Sequence, residues 1–400
     1  MMDATPLETL IEHALAHNPE VQAARYAARA AGARVPQAAS LPDPQLTTMA
    51  LLEAIQTAAG PQEIAMSLSQ AFPFHGKRAL RSQVAYHDAM AAYARATAVE
   101  LGVVERVKRA YYDVAFLSRA IEATRLLEPR LQDVVAIVRA KHRTNQAGLE
   151  SVYRAEIEVS SLQMQLVELQ QAKIAAQARL AGILHLPGDT RIEAAMDATR
   201  PRVTETAETL TAVAESCQPE LDAQRREVVR DRTSVSLARR DYWPDATVSF
   251  NWFGIGSSGL SPVATGEDAF SLGVGVNLPL YRSRLDAAVR EAQCKTARSS
   301  RQLDAKLDQM RTEIYGLSAQ VVQHQRVLEI LRTQVLQRAE PTLELSIEAY
   351  RVGKLEFQQM IESYQSLLRF RIDYHRRVAL REQTLASLER AVGTAITAAP

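Results

Sequence analysis

The 400-residue sequence has two cysteines, Cys217 and Cys294, and neither sits in a Cys-x-x-Cys pair. A disulfide framework or a cysteine zinc site needs more, and a lone Cys217–Cys294 bridge is not expected. No apolar run approaches the roughly 20 residues of a membrane-spanning helix. Met1–Leu10 has neither the basic region nor the apolar core of an export signal, and no cysteine lies near it to carry a lipid. Neither sign of charge is in excess: 47 Lys and Arg face 46 Asp and Glu, so there is no electrostatic case for nucleic acid. Catalytic signatures are missing as well. With no nucleophile elbow, phosphate loop or His-Glu-x-x-His segment, the chain is not expected to be an enzyme or to hold a cofactor. The 8 histidines are scattered. His13 and His17, four apart on a helix, could grip one metal ion, but no third ligand is near and no metal site is expected.

Proline is concentrated in certain zones, two of them around the strand regions. Pro36, Pro42, Pro44, Pro61 and Pro73 mark the first, and Pro201, Pro219, Pro244, Pro262 and Pro279 the second. None occurs between Pro73 and Pro129 or between Pro279 and Pro341. Helix interiors exclude proline, so both gaps read as long helices, with a kink late in each at Glu128-Pro129 and Glu340-Pro341.

What is present is said twice. Asn18-Pro19-Glu20-Val21 recurs as Gln218-Pro219-Glu220-Leu221, Pro42-Asp43 as Pro244-Asp245, and Phe72-Pro73-Phe74 as Leu278-Pro279-Leu280. Asn145-Gln146-Ala147 recurs as Gly353-Lys354-Leu355, so the offset grows only from 200 to 208. Such duplication restricts the fold more than any single motif. The first repeat, 1–200, predicts strands at about 45–52 and 63–72 and long helices at about 75–143 and 148–185. The second, 201–400, predicts strands at about 245–254 and 270–280 and long helices at about 282–351 and 355–393. The fold class is mainly α with a small β part.

Heptads support the long helices. Leu303, Leu307, Met310, Ile314, Leu317, Val321, His324, Leu328, Leu331 and Val335 alternate spacings of four and three, the pattern of supercoiled packing. Val103, Val107, Ala110, Val114, Leu117 and Ile121 follow the same rhythm. A helix from Arg282 to Arg351 would run roughly 100 Å. His324 in the seam reads as a polar residue that fixes register, with a proton-relay role as the alternative.

The strand segments alternate. Val248, Phe250 and Trp252 share one face and Thr247, Ser249 and Asn251 the other; Leu272, Val274, Val276 and Leu278 oppose Ser271, Gly273, Gly275 and Asn277. Both a soluble half-buried sheet and transmembrane barrel strands fit. The aromatics Tyr242, Trp243, Phe250, Trp252, Phe253, Phe270 and Tyr281 tilt the choice to a membrane girdle, with Val248, Phe250, Trp252, Val274 and Val276 toward lipid. Four strands cannot close a barrel, so several chains must share one. Glu53–Pro61 and Gly254–Asp268 would be its outward turns.

In this order the motifs resemble the TolC-like outer-membrane efflux protein family over Leu7–Gly393, with the tip Ala349-Tyr350-Arg351-Val352-Gly353-Lys354-Leu355 adding to the match. The resemblance implies a homotrimer with a shared trimeric β-barrel of twelve strands in outer-membrane lipid. Duplicated long-helix hairpins would form an α-barrel of twelve helices across the periplasm. A periplasmic adaptor and an inner-membrane efflux pump would be partners. Asn145 stands where the first tip usually has glycine. Asn145, Gln146, Ala147, Arg351, Gly353, Lys354 and Leu355 would form the adaptor-docking end. Glu150 and Glu356 would ring the pore entrance, or alternatively favour the starts of the next helices. Phe72-Pro73-Phe74-His75-Gly76-Lys77-Arg78 is similar to the branch serving heavy-metal cation exporters. A type I secretion duct and a non-transport coiled-coil scaffold are the alternatives.

Overall fold

The computed structural model describes residues 5–196, 205–257 and 266–396. Helices α1 (Leu7–His17) and α2 (Pro19–Ala39) precede strands β1 (Gln45–Thr57) and β2 (Gly60–Phe72) and helices α3 (Lys77–Arg143) and α4 (Leu149–Ile183). The order then repeats as α5 (Ala207–Cys217), α6 (Pro219–Arg240), β3 (Ala246–Ile255), β4 (Ala269–Val276), α7 (Arg282–Ile330), α8 (Leu336–Arg351) and α9 (Phe357–Val392). A π-helical turn, Leu331–Val335, joins α7 to α8.

The repeated helix starts are caps. Asn18 Oδ1 accepts the amides of Glu20 (2.9 Å) and Val21 (3.4 Å), and its Nδ2 donates to the Ile183 carbonyl (2.8 Å). Gln218 Oε1 takes the amide of Glu220 at 2.8 Å in the second copy. Both side chains are buried, and these bonds satisfy helix-end donors that would otherwise lack partners.

Two compact units cut across the repeats. One comprises Met1–Arg25, Arg95–Glu220 and Lys306–Pro400, the other Tyr26–Ala94 and Leu221–Ala305. The first is a helix bundle. Leu127, Leu131, Val134 and Val138 of α3 pack with Val152 and Leu162 of α4, Leu343 and Tyr350 of α8, and Met360, Tyr364 and Leu367 of α9. The second holds one antiparallel sheet in the order β1-β2-β3-β4. Each unit mixes the repeats because β2 pairs with β3, and because α8 and α9 share a core with α3 and α4.

The structure departs from the sequence reading at four points. Glu53–Pro61 is not a loop: β1 and β2 run on through a bulge between Ala50 and Ile55 to a tight turn at Ala58-Ala59. Thr57 Oγ1 donates to the Gly60 carbonyl at 2.7 Å, and Gly60 holds φ +138°, where a Cβ would lie 1.8 Å from the Gly256 carbonyl. Second, β4 stops at Val276, short of Leu278 and Leu280, because Pro279 has no N–H for the ladder. Asn277 ends the pairing by exchanging bonds with the Asp245 backbone. Third, the helix expected over about 282–351 is interrupted by the π turn, while α3 and α8 run on as helix through Pro129 and Pro341. Fourth, the seam leaves Leu331 for Leu336, not Val335. Buried Leu328 and Leu343 are fifteen residues apart, one more than two heptads, and the wider π turn absorbs the extra residue so that the core face stays inward. Of the predicted turn Gly254–Asp268, residues 258–265 lie outside the described residues, while Gly254 and Ile255 belong to β3.

This account of the π turn makes a deletion test. Removing Thr333 should turn Leu331–Val335 into ordinary α-helix with the seam in register, leaving folding yield and melting temperature near those of the parent. Removing Gln320 from regular α7 should pull Val321 and Leu328 off the core, at about 2–5 kcal/mol for each lost contact. Equal damage from both deletions contradicts the insertion account.

Candidate functional site

The tips are twin Schellman turns. At the first, the Asn145 amide donates to the His142 carbonyl (3.0 Å) and the Gln146 amide to the Lys141 carbonyl (2.8 Å). At the second, Gly353 donates to Tyr350 (3.1 Å) and Lys354 to Ala349 (2.8 Å). The left-handed residue is Asn145 at φ 56° in one and Gly353 at φ 77° in the other, which is why asparagine can stand in the glycine's place. His142 Nδ1 lies 2.9 Å from the Ala147 carbonyl and holds the exit of the first turn.

The fold brings the tips together through Lys141, which the sequence reading missed, and Tyr350, which it placed in the tip without a role. Lys141 donates to the Tyr350 carbonyl and sits 4.5 Å from the centroid of the Tyr350 ring. The cation of the first tip thus caps the last turn of α8. Tyr350 meets Phe357 edge-on at 6.0 Å, and burial pushes its phenol pKa up. A basic residue four positions before a left-handed turn was the available signal. Leu355 packs on the shared core, Arg351 pairs with Glu348 at 2.8 Å, and Gln146 and Lys354 are exposed. The acidic pair behaves unequally. Glu150 is bound to Arg154 at 2.6 Å, whereas exposed Glu356 makes no side-chain cap bond to α9.

Other candidates carry little. His13 and His17 stack at 4.3 Å, and among the described residues no three His, Cys, Asp or Glu side chains could hold a metal ion together. Cys217 and Cys294 are free thiols. His324 Nδ1 is buried without a partner, and desolvation, with Arg377 nearby, lowers its pKa. A 660 Å³ groove between α4 and α9 mixes Glu158, Gln165, Arg369, Asp373 and Arg376 with apolar walls.

The sheet has two unlike faces. Val248 pairs with Val274, Phe250 with Leu272 and Trp252 with Phe270; Ala246, next to Val276, continues the row. Across β2 this row extends to Leu68 and Met66. It is exposed: Leu272 is 75% and Val274 72% accessible. The opposite face carries Ser67, Ser69, Ser249, Asn251, Ser271 and Gly273, with Asn251 Nδ2 donating to Ser271 Oγ at 3.0 Å. β1 and β4 are the sheet's edges, each with one partner strand.

The Phe72–Arg78 segment makes the corner below the sheet. Lys77 is buried, with its ammonium on Asp245 Oδ1 (2.8 Å) and the Trp243 carbonyl (3.0 Å). The Phe74 amide donates to the same carboxylate at 2.7 Å, and its ring stacks on Trp243 at 5.0 Å. Burial pushes the Asp245 pKa up, but the bonds from Lys77 and Phe74 and the charges of Lys77 and Arg81 outweigh it and hold the group below the usual carboxylate range.

Long helix hairpins and a four-stranded, two-faced sheet are features the chain shares with solved outer-membrane channels. Among solved structures, VceC from Vibrio cholerae is 21% identical with a TM-score of 0.81, covering 98% of this chain and 97% of that one. The open-state MtrE channel of Neisseria gonorrhoeae is 14% identical with a TM-score of 0.78, covering 98% and 89%. The Campylobacter jejuni CmeC channel is 15% identical with a TM-score of 0.76, covering 97% and 85%. At these identities they share the fold. The family model described as outer membrane efflux protein matches residues 10–184, and curated proteins give no sequence match. The first repeat is thus similar to outer membrane efflux proteins, and the whole chain has the fold of these solved channels.

The tip joint can be tested alone. Lys141→Met keeps the stem but removes the charged donor, and should cost about 1.5–3 kcal/mol, the range for a hydrogen bond to a charged group. Hydrogen exchange should quicken at the Gly353 and Lys354 amides and stay unchanged at α1. Unchanged exchange at the tip would show that the joint is not Lys141's.

Proposed function

We propose that three copies of this chain form a passive export duct through the outer membrane into the periplasm, working with a periplasmic adaptor and an inner-membrane pump. The observation that carries the reading is the sheet with one apolar exposed face, one small polar face and two free edges. In lipid an open edge leaves N–H and C=O groups unpaired at several kcal/mol each, so β4 of one copy pairs with β1 of the next. The alternating meander makes that pairing antiparallel. Val248, Phe250, Trp252, Val274 and Val276 then face lipid, and Ser249 and Gly273 the lumen.

The left-handed tips dock the adaptor, and Glu356 lines the entrance, while the Arg154 contact leaves Glu150 a smaller part in any acidic ring. The Phe72–Arg78 resemblance favours heavy-metal cations as cargo, although the segment's own contacts are those of a corner joint. Metal sensitivity of cells lacking the protein tests that choice.

Sedimentation in detergent should give three chains per particle, and a folded monomer would contradict the duct. In the membrane, single cysteines at 273 and 274 should label differently with water-soluble and lipid-soluble reagents. Val274→Arg should destabilise the inserted protein by about 2–4 kcal/mol near the midplane. Like labelling at both positions would refute the two-faced barrel.

Gly353→Val places a β-branched side chain at φ 77°. Export-dependent resistance should fall while trimer in the outer membrane holds. Full resistance at normal trimer levels would remove the tip from adaptor docking.

A further inference from the structure

Six arginines crowd the end of the sheet where the helices attach, all within one compact unit. Arg78 and Arg81 open α3, Arg239 and Arg240 close α6, and Arg282 and Arg284 open α7. All six are exposed. Arg78 and Arg284 hold matching places in the repeats, six residues after Phe72 and Leu278. Backbone and ring contacts tie three of them to the corner: Arg78 donates to the Ala39 carbonyl (2.9 Å), Arg240 to the His75 carbonyl (3.4 Å), and Arg282 lies 5.4 Å from the Tyr242 ring centroid.

None of the six makes a direct ion pair with a carboxylate among the described residues, although the charge of Arg81 acts on Asp245. The neighbouring acids are engaged elsewhere. Asp241 and Asp245 face Lys77, and Asp286 accepts from the Tyr242 hydroxyl. Arg78 of α3 and Arg282 and Arg284 of α7 also sit in first turns without an acidic residue, against the helix dipole. An anion from outside the chain would relieve both.

The surroundings say which anion. Leu278, Leu280 and Tyr281 lie beside Arg282, and Phe72 and Trp243 beside the other arginines, all exposed and continuous with the apolar face of the sheet. Aliphatic, then aromatic, then cationic side chains in that order match hydrocarbon, interface and phosphate. Resting on the barrel reading above, we propose that this arginine belt binds the phosphates of anionic phospholipid headgroups in the periplasm-facing leaflet. A trimer repeats it three times around the barrel.

The full-length protein, inserted from detergent into vesicles of phosphatidylcholine mixed with phosphatidylglycerol, is re-extracted and its retained lipids are weighed by mass spectrometry. Phosphatidylglycerol should be enriched over phosphatidylcholine, less so at high salt. Each arginine replaced should lower the enrichment about fivefold. Arg282→Gln with Arg284→Gln is the main variant. Arg284→Gln alone, a side chain with no hydrogen bond or ion pair among the described residues, serves where the double variant folds poorly. Insertion with equal retention of the two lipids overturns the belt but leaves the barrel. Enrichment that survives in folded variants, or that inorganic phosphate abolishes, also overturns it. Failure to insert even into pure phosphatidylcholine instead removes the barrel reading, and the belt with it.

Discussion

Every strand in the chain must find two partners or face water, and β1 and β4 have one each. Their outer faces carry side chains that water does not favour, Leu272 and Val274 among them, so exposing the edges to solvent is no remedy. A sheet this small and two-faced has no core of its own, and the corner at Lys77, Asp245 and Trp243 joins the repeats directly beneath it. The buried ammonium is matched by one carboxylate that also takes the Phe74 amide, so breaking either partner leaves a charge without compensation.

Duplication explains the rest of the economy of design. Each copy contributes a capped helix start, two strands, a corner and a left-handed tip, and the copies meet at three levels. At the sheet, β2 pairs with β3. In the bundle, Tyr364 of the second copy donates to the Leu127 carbonyl of the first at 3.3 Å. At the tips, Lys141 caps α8. The copies differ where packing demanded it. In the second arm Leu328 and Leu343 stand one residue beyond two heptads apart, and the π turn absorbs it.

Much of this was legible in the residues because local rules and tertiary packing agree. The heptads of α7 are visible since one stripe is buried along the whole helix, and Asn145 is visible as a left-handed stand-in for glycine. The face of each strand was readable for the same reason, with period two set by the pleat. What escaped was set by contact rather than by pattern. Ala58-Ala59 carries no hairpin signal, so β1 and β2 read too short. Nothing local marks the π turn, since an added residue shows only when the core on both sides is known. Nothing in the sequence pattern pairs Lys77 or Lys141 with a partner, and only the fold supplies Asp245 and the Tyr350 carbonyl.

The central claim is that the free edges of one copy are closed by another. A cysteine at Leu46 on β1, combined in turn with cysteines at each position from Phe270 to Val276 on β4, tests it in the native outer membrane. The account predicts that at least one combination cross-links between chains under oxidation, giving a ladder that ends at three chains on a non-reducing gel. A folded, membrane-inserted protein that forms no inter-chain bond at any position would contradict it.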